Sequence, residues 1–297
     1  MPKLRILIVG CGYLGSVVAK MACDAGHTVF ATTRRPDRAA ELRRHEIQPI
    51  LADWTNRSGL RELPEVDRVL VAVSYDSASG MSRVESQVGG MRNLLDFVPE
   101  QAHLCYISTT GVYHQTGGEW VDERSPTRPN REGGRVHLQA EDLLHRHRPA
   151  APWTILRLAG IYGPGRVPRI DSVLQGQPIV SAEAGYLNLI HVHDAARAVF
   201  AAWQDRSHRL YVVGDDEPMP RRDFYCEIAR QCRVAPPVFE PPRAGSAKQM
   251  RSESNKRVWN RRLKTNLLPK LTFPTYREGL SQILKDAARG DVKHAGF

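Results

Sequence analysis

Apolar residues recur along this chain in two alternating rhythms. Residues 4–9 form a short, β-branched apolar run, the pattern of a strand buried on both faces. Leu14, Val17, Val18, Met21, Ala22 and Ala25 then recur at helical spacing, and Gly26 closes that segment. Strand-like runs follow at 28–33, 47–52, 69–73 and 104–108, with a helical pattern at 84–98 between the last two. Val136, Ala140, Leu143 and Leu144 mark another amphipathic helix, and 154–161 reads as a sixth strand before the turn Gly163-Pro164-Gly165. Alternating strand and helix units predict an α/β fold with a doubly wound parallel sheet of the Rossmann type, covered on both faces.

Past this turn the rhythm loosens. Residues 189–192 and 210–213 read as returning strands, with a helix at 195–203 between them. Residues 236–250 hold four prolines, Gly245 and the basic residues Arg243 and Lys248, which predicts an irregular excursion. Trp259, Leu263 and Leu267 repeat at i, i+4, i+8 and predict a helix. The expected organisation is a dinucleotide-binding domain over 1–163 and 189–213, with a smaller C-terminal cap lobe over 164–188 and 214–297 on the substrate side.

With 297 residues, 41% of them hydrophobic, the chain buries a large core without staples. Its cysteines are Cys11, Cys23, Cys105, Cys226 and Cys232, an odd number with no Cys-x-x-Cys pair, so neither a disulfide framework nor a zinc site is expected. No signal-peptide pattern or membrane-length apolar span is present, so the expectation is a cytoplasmic protein with no membrane partner. The formal net charge of +10 favours anionic partners such as phosphates and nucleotides. Residues 243–264 carry eight Lys/Arg against the single acid Glu253, but only one aromatic, Trp259. No nucleic-acid motif accompanies them, and a nucleic-acid partner is not expected.

Gly10-Cys11-Gly12-Tyr13-Leu14-Gly15 is a G-x-G-x-x-G sequence placed between a predicted strand and a predicted helix. In that context Gly10 permits the tight turn, Gly12 leaves room for a pyrophosphate, and Gly15 lets the helix pack close to the sheet with its N-terminus toward the phosphates. A purely structural turn is the alternative. An NAD site usually ends the second strand with an acid that bonds the ribose hydroxyls. Here that stretch is Ala31-Thr32-Thr33-Arg34-Arg35, and Arg34 and Arg35 suit a 2′-phosphate, which favours NADP over NAD. Asp53, ending the third strand, is either an acceptor for the adenine amine or a helix N-cap.

Further motifs fall in order along the chain: Ile107-Ser108-Thr109-Thr110-Gly111-Val112-Tyr113, Arg157 through Tyr162-Gly163-Pro164-Gly165, Ile190-His191-Val192-His193-Asp194-Ala195, and Tyr211-Val212-Val213-Gly214-Asp215. With the glycine-rich turn, they resemble the extended and atypical short-chain dehydrogenase/reductases, the NAD(P)-dependent epimerase/dehydratase group, over nearly the whole length. The stretch Ser254-Asn255-Lys256-Arg257-Val258 through Leu263 resembles atypical members whose active-site residues vary. The resemblance implies a Rossmann domain, a C-terminal cap and a substrate pocket between them. It also implies catalysis by a Ser/Thr, a Tyr and a Lys four residues after that Tyr, on one helix face.

This sequence departs from that pattern. Alignment on Glu141, Leu143 and Leu144 puts Gly133 at the Tyr position and His137 at the Lys position, and none of the nine tyrosines has a Lys four residues on. Thr109 matches the Ser/Thr position, and Gln87 falls where the family usually has a supporting Asn. His137 is either a proton donor or ribose contact, or a half-buried member of a run that includes His145 and His147. Tyr113 is either a displaced acid or a ring lining the pocket. Asp194, after His191 and His193, reads as the cap of the next helix, with no third ligand for zinc. The expected function is an NADP(H)-dependent reductase or epimerase-like protein with a degenerate catalytic set, acting on a small carbonyl or sugar-type substrate. The alternative is a non-catalytic redox sensor. The helices near 84–98 and 135–148 are candidates to pair two subunits as a homodimer.

Overall fold

The apolar runs of the N-terminal two thirds become one parallel sheet. In the computed structural model, which describes residues 2–205, 210–246, 249 and 254–289, seven strands form it: β1 (Arg5–Val9), β2 (Thr28–Thr33), β3 (Gln48–Leu51), β4 (Arg68–Val71), β5 (His103–Thr109), β7 (Trp153–Leu158) and β12 (Leu210–Val213). Short strands outside it are β6 (Glu119–Val121), β8 (Gly160–Tyr162), β9 (Ile179–Val180), β10 (Tyr186–Leu187), β11 (Leu189–His191), β13 (Met219–Pro220), β14 (Phe239–Glu240) and β15 (Lys256–Val258). The spatial order is β12-β7-β5-β4-β1-β2-β3, and every neighbouring pair is parallel. The order reverses between β1 and β4, the crevice where doubly wound folds place their ligands.

The period-2 geometry of β1 explains its unbroken apolar run. Ile6 and Ile8 pack into one core cluster with α1 (Tyr13–Asp24) and α6 (Val192–Ala202). Leu7 and Val9 pack into the opposite cluster with α3 (Gly90–Leu95) and α4 (Glu132–His147). A third cluster joins Tyr162, Val173, Ile179, Phe224, Tyr225 and Leu280 beyond the C-terminal strand ends.

Four expectations are corrected by packing. The run at 154–161 is two strands: β7 ends at Leu158, Ala159 N–H donates to the Val213 carbonyl at 2.8 Å, and β8 pairs with β11 instead. The helix at 84–98 contains a π-helical turn, Glu85–Gly89, before α3 begins. A Cβ at Gly90 would lie 2.4 Å from the Trp54 ring, so the indole occupies the space of a missing side chain where the wide turn gives way to α3. Trp259 stays outside the final helical repeat, because its N–H donates to the Val121 carbonyl at 2.9 Å and prolongs the β15–β6 pairing; the helix runs Arg261–Asn266. Part of the excursion at 236–250 lies outside the described residues. What is described includes β14, paired with β9. Among the described residues no helix is long and apolar enough to cross a membrane.

Asp194 is the fourth. The cap of α6 is His191, whose Nδ1 accepts from the His193 N–H at 3.3 Å. Asp194 sits fully buried in the first turn and accepts from the backbone N–H groups of Thr272 and Phe273 at 2.9 and 2.8 Å, with Arg197 alongside at 2.7 Å. It ties the Rossmann helix to the returning C-terminal chain. Asp194→Ala strands two backbone donors, each costing about 1–3 kcal/mol when buried. Urea denaturation is expected to show a loss of about 3 kcal/mol; a loss under about 1 kcal/mol would show that water replaces the carboxylate.

Candidate active site

The glycine-rich turn separates its three glycines by role. Gly10 has φ +93°, and a Cβ there would lie 2.6 Å from the Ala72 carbonyl carbon. A Cβ at Gly15 would lie 2.3 Å from the Gly10 carbonyl oxygen, so these two positions hold helix against sheet. A Cβ at Gly12 meets nothing within 4 Å. The space beside Gly12 opens into a cleft lined by the turn, the ends of β2 and β4, and the 52–55 segment. No side chain caps the N-terminus of α1, and no acid lies in its first turn, which leaves its dipole for an anion. A dinucleotide fits such a cradle.

The cleft's outer wall is cationic. Arg34, at the end of β2, pairs with Asp76 at 3.0 Å and reaches Asp53 at 3.9 Å. Arg35 also lines the cleft but is exposed and hydrogen-bonded to Asp37. Sequence reasoning missed Arg38. It stands one turn after Arg34 on α2 (Pro36–Arg44), donates to Ser16 Oγ at 3.0 Å and to the Cys11 carbonyl at 3.3 Å, and pairs with Glu41. Its guanidinium therefore rests on the glycine turn itself. The clustering of Arg34, Arg35 and Arg38 just after β2 was the signal that could have found it. Asp53 lines the cleft and is not the cap of the following turn, a role taken by Asn56. Asp53 Oδ1 instead accepts from Thr55 N–H at 2.9 Å and Thr55 Oγ1 at 2.7 Å.

A second chamber continues past Tyr13 and Leu14 toward the ends of β5 and β7, and there Thr109, Gly133 and His137 come together. Thr109 Oγ1 accepts from the Gly111 N–H at 3.0 Å, leaving its hydroxyl proton for another acceptor. His137 Nδ1 lies 2.8 Å from the Tyr106 hydroxyl, and burial pushes its pKa below the ordinary value. That shift favours the neutral imidazole, and a phenol donating to Nδ1 would leave its proton on Nε2. Gly133 leaves a void, since a Cβ there meets nothing within 4 Å. Gln87, turned inward by the π-helical segment, adds an amide whose buried Nε2 has no hydrogen-bond partner among the described residues. Tyr13 donates to the Pro164 carbonyl at 3.0 Å and carries the Arg166 guanidinium over its ring, so the glycine turn is strapped to the 163–166 turn.

Tyr113 is not in this chamber. Its ring is buried among Val112, Val121, Val212 and Val258. Its hydroxyl accepts from Arg157 Nη1 at 3.0 Å, and burial pushes its pKa up to about 12. It borders a small separate pocket with Gly111, His114, Arg131 and Ser254 instead, away from Thr109 and His137. Arg157 in turn forks onto Glu141, with Nε to Oε1 at 3.1 Å and Nη2 to Oε2 at 2.6 Å, while Ser108 Oγ donates to the same carboxylate at 2.5 Å. A third chamber shares Thr109, Leu158, Ala159 and Gly160 with the second.

A seven-stranded parallel sheet, a glycine turn at the switch point and a strand-end threonine facing α4 define a dinucleotide-binding protein of the short-chain dehydrogenase/reductase type. Residues 6–214 match the NAD dependent epimerase/dehydratase family, and the chain belongs to it. It is similar to Protein YeeZ of Escherichia coli (strain K12), 28% identical over 243 residues, covering 79% of this chain and 86% of that protein. The 3-diazoavenalumate denitrifying reductase of a Streptomyces species is 25% identical over 327 residues, covering 94% and 100%. Among solved structures, a conserved protein from Silicibacter pomeroyi DSS is 29% identical with a TM-score of 0.77, covering 96% of this chain and 99% of that one.

The glycines separate binding from folding. Gly12→Val is expected to fold with stability within about 1 kcal/mol of the parent yet lose dinucleotide affinity in calorimetric titration. Gly15→Ala forces a Cβ onto a carbonyl and is expected to cost about 1–3 kcal/mol or more in urea denaturation. Normal affinity in folded Gly12→Val would place the dinucleotide elsewhere.

Proposed function

We propose that this protein is an NADP(H)-dependent reductase acting on a small, electrophilic carbonyl-type or sugar-derived substrate. The observation that carries the reading is the pairing of Thr109 and His137 beside the void at Gly133. That chamber adjoins a cleft walled by Arg34, Arg35 and Arg38. Arg34 and Arg38 would hold the 2′-phosphate of NADP, and Gly12 would leave room for its pyrophosphate. His137 would hydrogen-bond the nicotinamide ribose, the task a Lys performs in relatives with the full set. The bound nicotinamide supplies a hydride.

Chemistry at the substrate then falls to few groups. Thr109 donates its hydroxyl proton to a substrate oxygen and orients it. Epimerisation begins by taking a proton from a substrate alcohol, and the two phenols that line the chamber, Tyr13 and Tyr75, are engaged in donating to the Pro164 and Met81 carbonyls at 3.0 and 2.8 Å. Reduction of an already electrophilic centre needs only the hydride and a proton, which water delivers. This asymmetry favours reduction over epimerisation, in line with a reductase among the relatives. The second reading, a redox sensor, is favoured by the same void at Gly133.

NADPH is expected to bind about tenfold or more tightly than NADH, because one charge-assisted bond carries about 1.5–3 kcal/mol. Arg34→Ala or Arg38→Ala narrows that gap in calorimetric titration, and Arg35→Ala narrows it less, its guanidinium being exposed and engaged by Asp37. Equal affinities for the two cofactors would overturn the preference.

Turnover of a panel of carbonyl and sugar-nucleotide acceptors, followed by NADPH absorbance, tests the chemistry. His137→Ala is expected to lower kcat by about 10²-fold. Tyr113→Phe is expected to leave kcat nearly unchanged and to cost stability, since its hydroxyl serves Arg157. The reverse result would overturn these roles, and firm NADPH binding with no turnover of any acceptor would favour the sensor.

A further inference from the structure

The third chamber has a charge balance of its own. Arg131, Arg169, Arg221 and Lys256 line it, and among the described residues no Asp or Glu does. Its volume of about 400 Å³ suits a small organic molecule. The cations do not play the same part. Arg221 gives its guanidinium to the carbonyls of Ala184 at 2.6 Å and Ser254 at 2.7 Å, and so fastens two loops together. Arg169 reaches the Val180 carbonyl at 3.3 Å.

Lys256 is different. It is 4% exposed, and its backbone is fixed by the pairing of β15 with β6 and by Asn188, whose Nδ2 donates to its carbonyl at 2.9 Å. Its ammonium offers three donors. The partner it meets is the neutral hydroxyl of Ser254, at 2.8 Å. Burial, with Arg131 and Arg221 nearby, pushes its pKa down to about 8. A buried ammonium that meets no carboxylate among the described residues is costly, and an anion entering the chamber would relieve that cost. Three nearby cations of the basic 243–264 stretch are engaged elsewhere. Arg257 lies over Trp120 and Tyr186, Arg262 donates to the Leu210 carbonyl, and Lys264 pairs with Asp216.

We propose that this chamber is an oxyanion-binding subsite, in which a carboxylate or phosphate group of the substrate seats against Lys256 with Arg131 beside it. The wall shared through Thr109, Ala159 and Gly160 then sets the reacting carbon in the adjoining chamber. Only this last step rests on the reductase reading; the anion site stands without it. The substrate class is thereby narrowed to small anionic molecules, and the buried cation gives the pocket a preference over neutral analogues of the same shape.

Calorimetric titration of the full chain with inorganic phosphate and with benzoate, at ionic strength held constant with chloride, tests the subsite. At least one anion is expected to bind the parent protein, with Lys256→Met weakening it about tenfold or more. Lys256→Arg keeps the charge and is expected to retain binding. Arg34→Ala, in the other cleft, is expected to leave the Lys256-dependent binding in place, which separates this site from the one for the 2′-phosphate. A response to phosphate alone assigns a phosphate ester, and a response to benzoate alone assigns a carboxylate. Should Lys256→Met fail to fold, Arg131→Gln is expected to weaken the same anion severalfold. Binding of neither anion, or unchanged affinity in Lys256→Met, or in Arg131→Gln where that variant stands in for it, would overturn the proposal. NADPH titration of the same proteins reports separately: failure there would overturn the cofactor reading and leave the anion result intact.

Discussion

The buried fork between Arg157 and Glu141 is the constraint on which the active site depends. Both side chains are almost wholly excluded from water, where an unpaired charge would be prohibitive and a paired one is tolerated only if its remaining valences are met. They are met here: Ser108 and two guanidinium nitrogens saturate the carboxylate, and the Tyr113 hydroxyl takes a third nitrogen. Removing one partner of such a pair typically costs about 3–5 kcal/mol. The fork joins α4 to β5 and β7 at one depth and in one rotation. Gly133, His137 and Glu141 follow one another at four-residue intervals on α4, hence on one face. Fixing Glu141 against the sheet therefore aims His137 and the empty position 133 at the strand-end threonine next to Ser108.

That geometry also explains why Tyr113 is no substitute for the missing phenol. The guanidinium that satisfies Glu141 has a donor left over, and the tyrosine hydroxyl answers it. Turning the ring toward the chamber would break that bond and empty a packed cluster of valines. The chamber is thus provided with a hydroxyl at Thr109, an imidazole beside Tyr106, an amide at Gln87 and the phenols of Tyr13 and Tyr75, which donate to the Pro164 and Met81 carbonyls.

The excess positive charge of the chain is not spread evenly. One group of guanidiniums stands around the cleft beside the glycine turn, and a second group of cations lines the chamber beyond Ala159. Between them lies a stretch with few charged groups, Arg83 and Arg166 among its lining, where the reacting atoms would meet. Such an arrangement would suit an extended pair of anionic molecules held by their outer ends. The break between β7 and β8 makes it possible: where the chain changes strand partner at Ala159, small residues leave the two inner chambers open to one another.

The amino-acid sequence by itself determined the parallel sheet, its order of strands and helices, and the glycine turn. Each is written in local periodicity: alternate residues of a strand such as β1 face opposite cores, and Gly10 and Gly15 are demanded by backbone approaches within a few residues of the turn or across one strand. The loss of the Tyr and Lys at 133 and 137 was equally legible, because helical spacing links them to Glu141. Tertiary structure alone decided the rest. Whether Trp259 joined a helix or a sheet ladder depended on Val121, distant in sequence, and whether Asp194 capped its own helix depended on Thr272 and Phe273. The inward turn of Lys256, the resting place of Arg38 on the Cys11 carbonyl and the withdrawal of Tyr113 to Arg157 follow from contacts between segments far apart in the chain. Periodicity records which face of an element is buried; it does not record which distant charge or carbonyl that face will meet.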